Sequence, residues 1–148
     1  MFPYVAVALD PVGNVSLILQ IVILFLLILG LPLARGISGK KNLTRHGYLT
    51  VLALILHTIL ILIVMVPSFT SSFGEIGELS VISLFTVWSH AVLGITAEVL
   101  GIVLVGAWLS KPTSRMNCVK MKRWMAPTFI IWAISIINGA MVHILGLL

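Results

Sequence analysis

The chain has 148 residues, of which 60% are hydrophobic and 9% are charged. This composition excludes a disordered chain, a nucleic-acid-binding domain and an ordinary soluble enzyme. A membrane-spanning helix needs about 20 apolar residues, so the length accommodates four spans with short loops and leaves nothing for a soluble domain. The single cysteine, Cys118, excludes an intramolecular disulfide and a metal site made only of cysteines.

The hydropathy pattern predicts four spans in a single domain over residues 1–148, at about residues 12–34, 46–66, 80–109 and 124–148. We expect Pro67 to end the second span. We expect Pro127 to lie in the first turn of the fourth, where a missing N–H costs nothing. The predicted fold is all-α, an integral membrane up-down four-helix bundle. The first residues carry no basic side chain, so we expect no cleavable signal peptide.

The charges predict the orientation of this bundle in the plasma membrane of a prokaryote. Glu75 and Glu78 lie in the connection between spans two and three, which has no basic residue, and Trp108 and Trp124 flank the second basic loop as interfacial anchors. Basic residues concentrate in cytoplasmic loops, so we expect both basic loops in the cytoplasm and both termini outside. Because the basic residues are explained as a topology signal, we do not expect the chain to bind nucleic acid. Every Lys and Arg falls in two short loop segments: Arg35, Lys40, Lys41 and Arg45, then Lys111, Arg115, Lys120, Lys122 and Arg123.

Histidine is as frequent as all the acidic residues together, with 4 His against 4 Asp+Glu. All four lie in or at the ends of predicted spans, where ionisable residues are costly and are candidate functional groups. Gly94 follows His90 by one helical turn, and Gly139 precedes His143 by one turn in the antiparallel neighbour. Two facing imidazoles with bared backbone beside them favour one haem b with His90 and His143 as axial ligands.

Several alternatives stay open for the histidines. His57 is a rival axial ligand, and His57, His90 and His143 together are a candidate copper or zinc cluster. In the structural alternative, the histidines bind no cofactor and only make hydrogen bonds between helices. The small residues spaced along spans three and four are then ordinary helix–helix contacts. His46, at the predicted cytoplasmic edge, is an interfacial residue or the ligand of a second haem. Its partner would then be one of the soft side chains nearby, which are Met116, Met121, Met125 and Cys118.

Glu98 is the only acid within a predicted span. A carboxyl group there must be protonated, paired or hydrated, so we interpret it as a proton relay or the partner of a histidine. Hydrogen bonding to Ser135, Asn138 or Thr96 is the structural alternative. Gln20, the one strongly polar mid-span residue of span one, suggests that this span packs against a larger partner.

The region from Thr44 to Gly139, about two-thirds of the chain, resembles a family of small four-helix membrane proteins linked to the maturation of haem–copper terminal oxidases. The matching pieces are Arg45-His46 opening span two, the segment TVWSHAVLG that contains His90, and the segment RWMAP that opens span four. Four-helix b-type membrane cytochromes are also similar in architecture and histidine usage. The resemblance implies a membrane protein partner in a respiratory complex.

Three functions therefore compete at the level of sequence, and none establishes whether the chain is an enzyme. The first is a small b-type cytochrome or haem-handling accessory protein of a respiratory complex, with a membrane quinone as a possible partner. The second is a non-catalytic helical subunit or assembly factor of an oxidase. The third is an intramembrane copper or proton site that uses His57, His90, His143 and Glu98.

Overall fold

A computed structural model describes residues 11–35, 40–71, 80–110 and 115–145. All the secondary structure in these ranges is helical. The first helix, α1, is Pro11–Arg35. The second, α2, runs in three consecutive pieces: an α-helix Lys40–Leu60, a π-helical turn Ile61–Met65 and an α-helix Val66–Ser71.

The third and fourth helices, α3 and α4, are Val81–Ser110 and Arg115–Ile144. Each of the four helices contains a stretch long and apolar enough to cross a membrane, which confirms the prediction of an all-α membrane four-helix bundle. The predicted acidic loop with Glu75 and Glu78 lies outside the described residues, as do both chain ends.

Helix α2 does not end at Pro67 as predicted, but continues to Ser71. The π-helical turn directly precedes the proline, and in it the backbone N–H of Val66 donates to the carbonyl of Ile61. A proline in a regular helix clashes with the carbonyl four residues earlier and lacks the N–H that this carbonyl needs. The wider π-helical turn changes the backbone pairing at this point, which is how the helix passes the proline.

Helix α4 begins at Arg115, about nine residues before the predicted start, so Pro127 lies inside the helix and not in its first turn. The prediction took the onset of hydropathy as the start of the helix. The preceding residues include Met, Lys and Arg, which favour helix. The membrane-spanning stretch itself begins at Met121. Just after the proline, the hydroxyl of Thr128 donates to the carbonyl of Trp124 at 2.7 Å.

The four helices pack in a closed ring in chain order, with α3 most extensively against α4 and α1 against α2. We call the two ends of the bundle the Pro11 end and the Arg35 end, after the first and last residues of α1. The interior is apolar and closely packed at its centre, where Ile23 and Ala53 have no exposed surface and Trp132 is 2% exposed. On α3, the predicted stripe of small residues is confirmed, since Gly94, Ala97 and Gly101 are all buried.

Two glycines offer a matched test of how tightly the helices approach. A side chain at Gly47 on α2 would overlap the indole ring of Trp108 on α3, whereas a side chain at Gly106 would meet nothing within 4 Å. We therefore expect Gly47→Ala to lower the free energy of unfolding by about 1–3 kcal/mol through overpacking. We expect Gly106→Ala to leave it unchanged or raise it by up to about 1 kcal/mol, because alanine favours helix. Thermal unfolding in detergent, followed by circular dichroism, measures both; equal effects would contradict the packing described here.

Candidate functional site

Each of the four histidines donates a hydrogen bond from one helix to a different helix. Together these bonds join α1 to α2, α2 to α3, α3 to α4 and α4 back to α1, so each seam of the ring has one. We call them the four histidine links: His46 Nδ1 to the Gly30 carbonyl at 3.0 Å, His57 Nδ1 to Glu98 Oε2 at 2.7 Å, His90 Nδ1 to the Ser135 carbonyl at 2.9 Å, and His143 Nε2 to Asn14 Oδ1 at 3.1 Å.

The link between α2 and α3 joins an imidazole and a carboxyl group within the membrane-spanning stretches. The side chains of His57 and Glu98 are 3% and 12% exposed, respectively. The second carboxylate oxygen, Glu98 Oε1, accepts a hydrogen bond from the hydroxyl of Thr58. The edge of the His57 imidazole packs against Trp132, with ring centroids 5.0 Å apart. The same Thr58 hydroxyl lies 2.9 Å from the carbonyl of Leu54, so it shares its one hydrogen between two oxygens. Glu98 thus has two hydrogen-bond partners on α2, which lowers the cost of an acid in this environment.

Of the partners that the sequence suggested for Glu98, the structure shows a histidine, His57. The structural alternatives on α4 bind elsewhere: the Asn138 amide donates to Ser89 Oγ at 3.1 Å, and Ser135 is occupied by His90. Thr96 on α3 donates to its own helix, to the carbonyl of Val92 at 2.7 Å. A role in proton transfer stays a prediction.

His90 and Ser135 bind each other across the α3–α4 seam. The imidazole Nδ1–H donates to the Ser135 carbonyl, and the Ser135 hydroxyl donates to the His90 carbonyl at 3.4 Å. Because the proton on a neutral imidazole then sits on Nδ1, the lone pair sits on Nε2. This is the tautomer in which a histidine can accept a hydrogen bond, or bind a metal, through Nε2.

The two glycines singled out by the sequence both lie at this seam, and neighbouring side chains fill the space beside them. An added Cβ at Gly94 would lie 3.3 Å from the hydroxyl of Ser135. An added Cβ at Gly139 would lie 2.7 Å from two atoms, His90 Cε1 and Gln20 Oε1. The space beside both glycines is therefore filled by other side chains of the bundle. Gly139, which the sequence paired with His143, packs against His90.

A cavity of about 520 Å³ lies at the Pro11 end of the bundle and is lined by all four helices. Its walls are largely apolar and include part of the π-helical turn of α2. His90 and His143 both line it, with Ser16 and Gln20 of α1 as neighbouring polar groups. The structure thus brings the two predicted axial ligands to one cavity, while His57 binds Glu98.

Gln20 is turned into the bundle and is 5% exposed. Its Nε2 donates to the hydroxyl of Ser16 at 3.3 Å, and its Oε1 is buried without a hydrogen-bond partner among the described residues. Sequence reasoning assigned Gln20 to an outward surface and gave no role to Asn14, Ser16 or Thr58. The signal for Gln20 was present, because a lone amide in an apolar span needs a partner inside the protein.

His46 stands at the Arg35 end, on the α1–α2 seam, near the edge-to-face contact of Tyr48 and Trp108, whose ring centroids are 5.5 Å apart. Of the four soft side chains proposed beside it, those of Met116 and Cys118 lie outside the described residues. Within the described part of the chain, no three His, Cys, Asp or Glu side chains are grouped so that they could hold a metal ion.

Comparisons with protein-family models, with curated proteins and with solved structures gave no match to this chain. The resemblance to the oxidase-maturation family therefore stays a prediction.

A double-mutant cycle tests the buried pair. Glu98→Leu leaves His57 without its acceptor, and we expect it to lower the free energy of unfolding by about 3–5 kcal/mol. His57→Leu strands the carboxylate and should cost a similar amount, whereas the double variant should recover much of the loss. Thr96→Ala, on the exposed face of the same helix, is the control and should stay within about 0.5 kcal/mol. Additive losses in the double variant, measured by thermal unfolding, would contradict the pairing.

Proposed function

We propose that the chain is a non-catalytic helical subunit or assembly factor of a membrane redox complex, and that the complex is a haem–copper terminal oxidase. The four histidine links carry the first part of the proposal. Each of these imidazoles joins two helices, which is the role of a structural histidine in a bundle with little other polar material. The resemblance over Thr44–Gly139 carries the choice of complex.

A subunit of this kind also needs a surface for its partner, and α1 supplies a continuous one. Its large apolar side chains recur every three or four residues on the side facing away from the bundle. With Gln20 and Ser16 turned inward, this face is purely apolar and suits either lipid or a partner helix. Its members are Val15, Ile18, Val22, Phe25 and Leu29, which are 40–60% exposed.

Purification of the tagged chain from its native membranes in mild detergent tests this proposal. We expect oxidase subunits to accompany it, and we expect Ile18→Ala/Phe25→Ala to reduce their recovery several-fold by removing contact area from α1. Val99→Ala/Ile102→Ala removes similar exposed groups from α3 and is the matched control. Recovery of the chain without any oxidase subunit would overturn the choice of complex.

The setting of His90 favours a second candidate function, a small b-type cytochrome or haem-handling protein. Its Nδ1–H is held by a backbone carbonyl and its Nε2 has the lone pair, which is the usual state of a histidine that ligates iron. His143 lines the same cavity, but its Nε2 donates to Asn14 and would have to release that bond. Bound haem would supply one-electron chemistry, and the chain would hold it through His90 within apolar walls.

The reduced-minus-oxidised absorption spectrum of the purified chain decides between the two candidates. The haem candidate predicts b-type bands that are lost in His90→Ala and retained in His46→Ala, whose imidazole makes the same kind of bond at the opposite end of the bundle. The subunit candidate predicts a purified chain without haem bands and without stoichiometric iron or copper.

A further inference from the structure

Among the described residues, one buried hydrogen-bond acceptor without a donor lies at the cavity of the Pro11 end, beside the imidazole of His90. Gln20 Oε1 and His90 Cε1, the carbon between the two imidazole nitrogens, each lie 2.7 Å from one point beside Gly139, so they are at most about 5.4 Å apart. Gln20 Oε1 has no partner in the described part of the chain, although its residue is 5% exposed. His90 adds the lone pair of Nε2, because its Nδ1–H is committed to the Ser135 carbonyl.

Both side chains also make a hydrogen bond within the bundle. The Gln20 amide nitrogen donates to Ser16, which directs the amide oxygen away from that hydroxyl. The His90 imidazole is held by the reciprocal bonds with Ser135. A buried acceptor without a donor is costly. Gln20 Oε1 therefore favours a ligand that donates a hydrogen bond.

The remaining walls of the cavity restrict what that molecule can be. None of the described lining residues is Lys, Arg, Asp or Glu, so an ionic ligand would have no counter-charge. Phe69 and Trp88 form an edge-to-face pair in the wall, with ring centroids 5.6 Å apart. The rim includes Val92 and Ile95, which are 58% and 63% exposed on a membrane-spanning helix, so the entrance faces the lipid.

We propose that this cavity binds a lipid-soluble hydroquinone, with one hydroxyl group donating to Gln20 Oε1, the imidazole of His90 beside that hydroxyl, and the ring against the aromatic wall. A volume of about 520 Å³ falls within the range of small-molecule sites. The oxidised quinone has carbonyl oxygens where the hydroquinone has hydroxyls, so it has no hydrogen to donate to Gln20 Oε1. The site is thus selective for the reduced form. This inference specifies a site for the quinone partner expected from the sequence, and it does not depend on the proposed role as an oxidase subunit.

Calorimetric titration of the purified chain in detergent tests the proposal, with empty micelles subtracted. The probes are tetramethyl-p-hydroquinone under anaerobic reducing conditions, the corresponding tetramethyl-p-benzoquinone, and tetramethylbenzene, which has the same ring without oxygen. We expect the hydroquinone to bind about tenfold more tightly than either of the others, the effect of one lost hydrogen bond.

Variants distinguish binding through the hydrogen-bond acceptor from binding through apolar contact alone. Gln20→Met keeps the length of the side chain and removes the carbonyl acceptor, and we expect it to weaken hydroquinone binding about tenfold while leaving tetramethylbenzene unchanged. Gly139→Ala places a methyl group against the side chains of both Gln20 and His90 and should weaken hydroquinone binding independently. Gly106→Ala, whose added methyl group would meet nothing within 4 Å, should bind as the unmodified chain does. Circular dichroism verifies that each variant is folded.

Three results would overturn the proposal. The first is that no probe binds, which would leave the acceptor to water. The second is equal affinity for hydroquinone, quinone and tetramethylbenzene, which would show that apolar contact alone holds the ligand. The third is a purified chain that takes up haem at His90 and excludes hydroquinone. None of these results bears on recovery with oxidase subunits, so the two proposals fail separately.

Discussion

The interior of a bilayer supplies no water to a polar side chain, so each such group must find its partner within the protein. In this bundle the constraint falls on very few residues, because the helices are otherwise apolar. For the four histidines and Glu98 the partner lies on the adjacent helix, and the hydrogen bond fixes how the two helices meet. The buried pair of His57 and Glu98 is the strongest case, since the imidazole and Thr58 together satisfy the carboxylate.

The same requirement, applied four times, gives the bundle its organisation. Apolar packing and small residues bring the helices together but specify their register weakly, because lipid is as apolar as the side chains it replaces. One directional hydrogen bond at each seam adds that register. Three buried polar atoms of the described residues depart from this requirement: the indole N–H groups of Trp108 and Trp132, and Gln20 Oε1, which lies at the cavity of the Pro11 end. A departure from an otherwise consistent pattern is where a binding site is expected, and the one at the cavity is the basis of our hydroquinone proposal.

The architecture was predictable because its signals are long-range averages. Hydropathy identified four spans, and each is present as a helix. The errors came at prolines and at basic segments: Pro67 is absorbed by the π-helical turn, and α4 begins well before its apolar stretch. Hydropathy indicates which residues lie in the membrane. It does not indicate where a helix begins or ends, which depends on local backbone hydrogen bonds.

The candidate site was only partly predictable. Singling out His90, Gly94 and Gly139 was justified, because all three meet at one seam. The contacts between them could not be predicted from the sequence. A four-residue offset describes positions on one helix, whereas a contact between helices depends on how the two are rotated about their axes. Hence Gly139 lies against His90, and the partners Ser135 and Asn14, one through its backbone, gave no signal in the sequence.

Nitrogen NMR of histidine-labelled protein in lipid bilayers tests the central claim most directly, because it reports which imidazole nitrogen carries the proton. The four histidine links predict protonated Nδ1 at His46, His57 and His90 and protonated Nε2 at His143, with single-site substitutions giving the assignment. Nε2 protonation at His90, or rapid exchange between tautomers at all four histidines, would contradict the account.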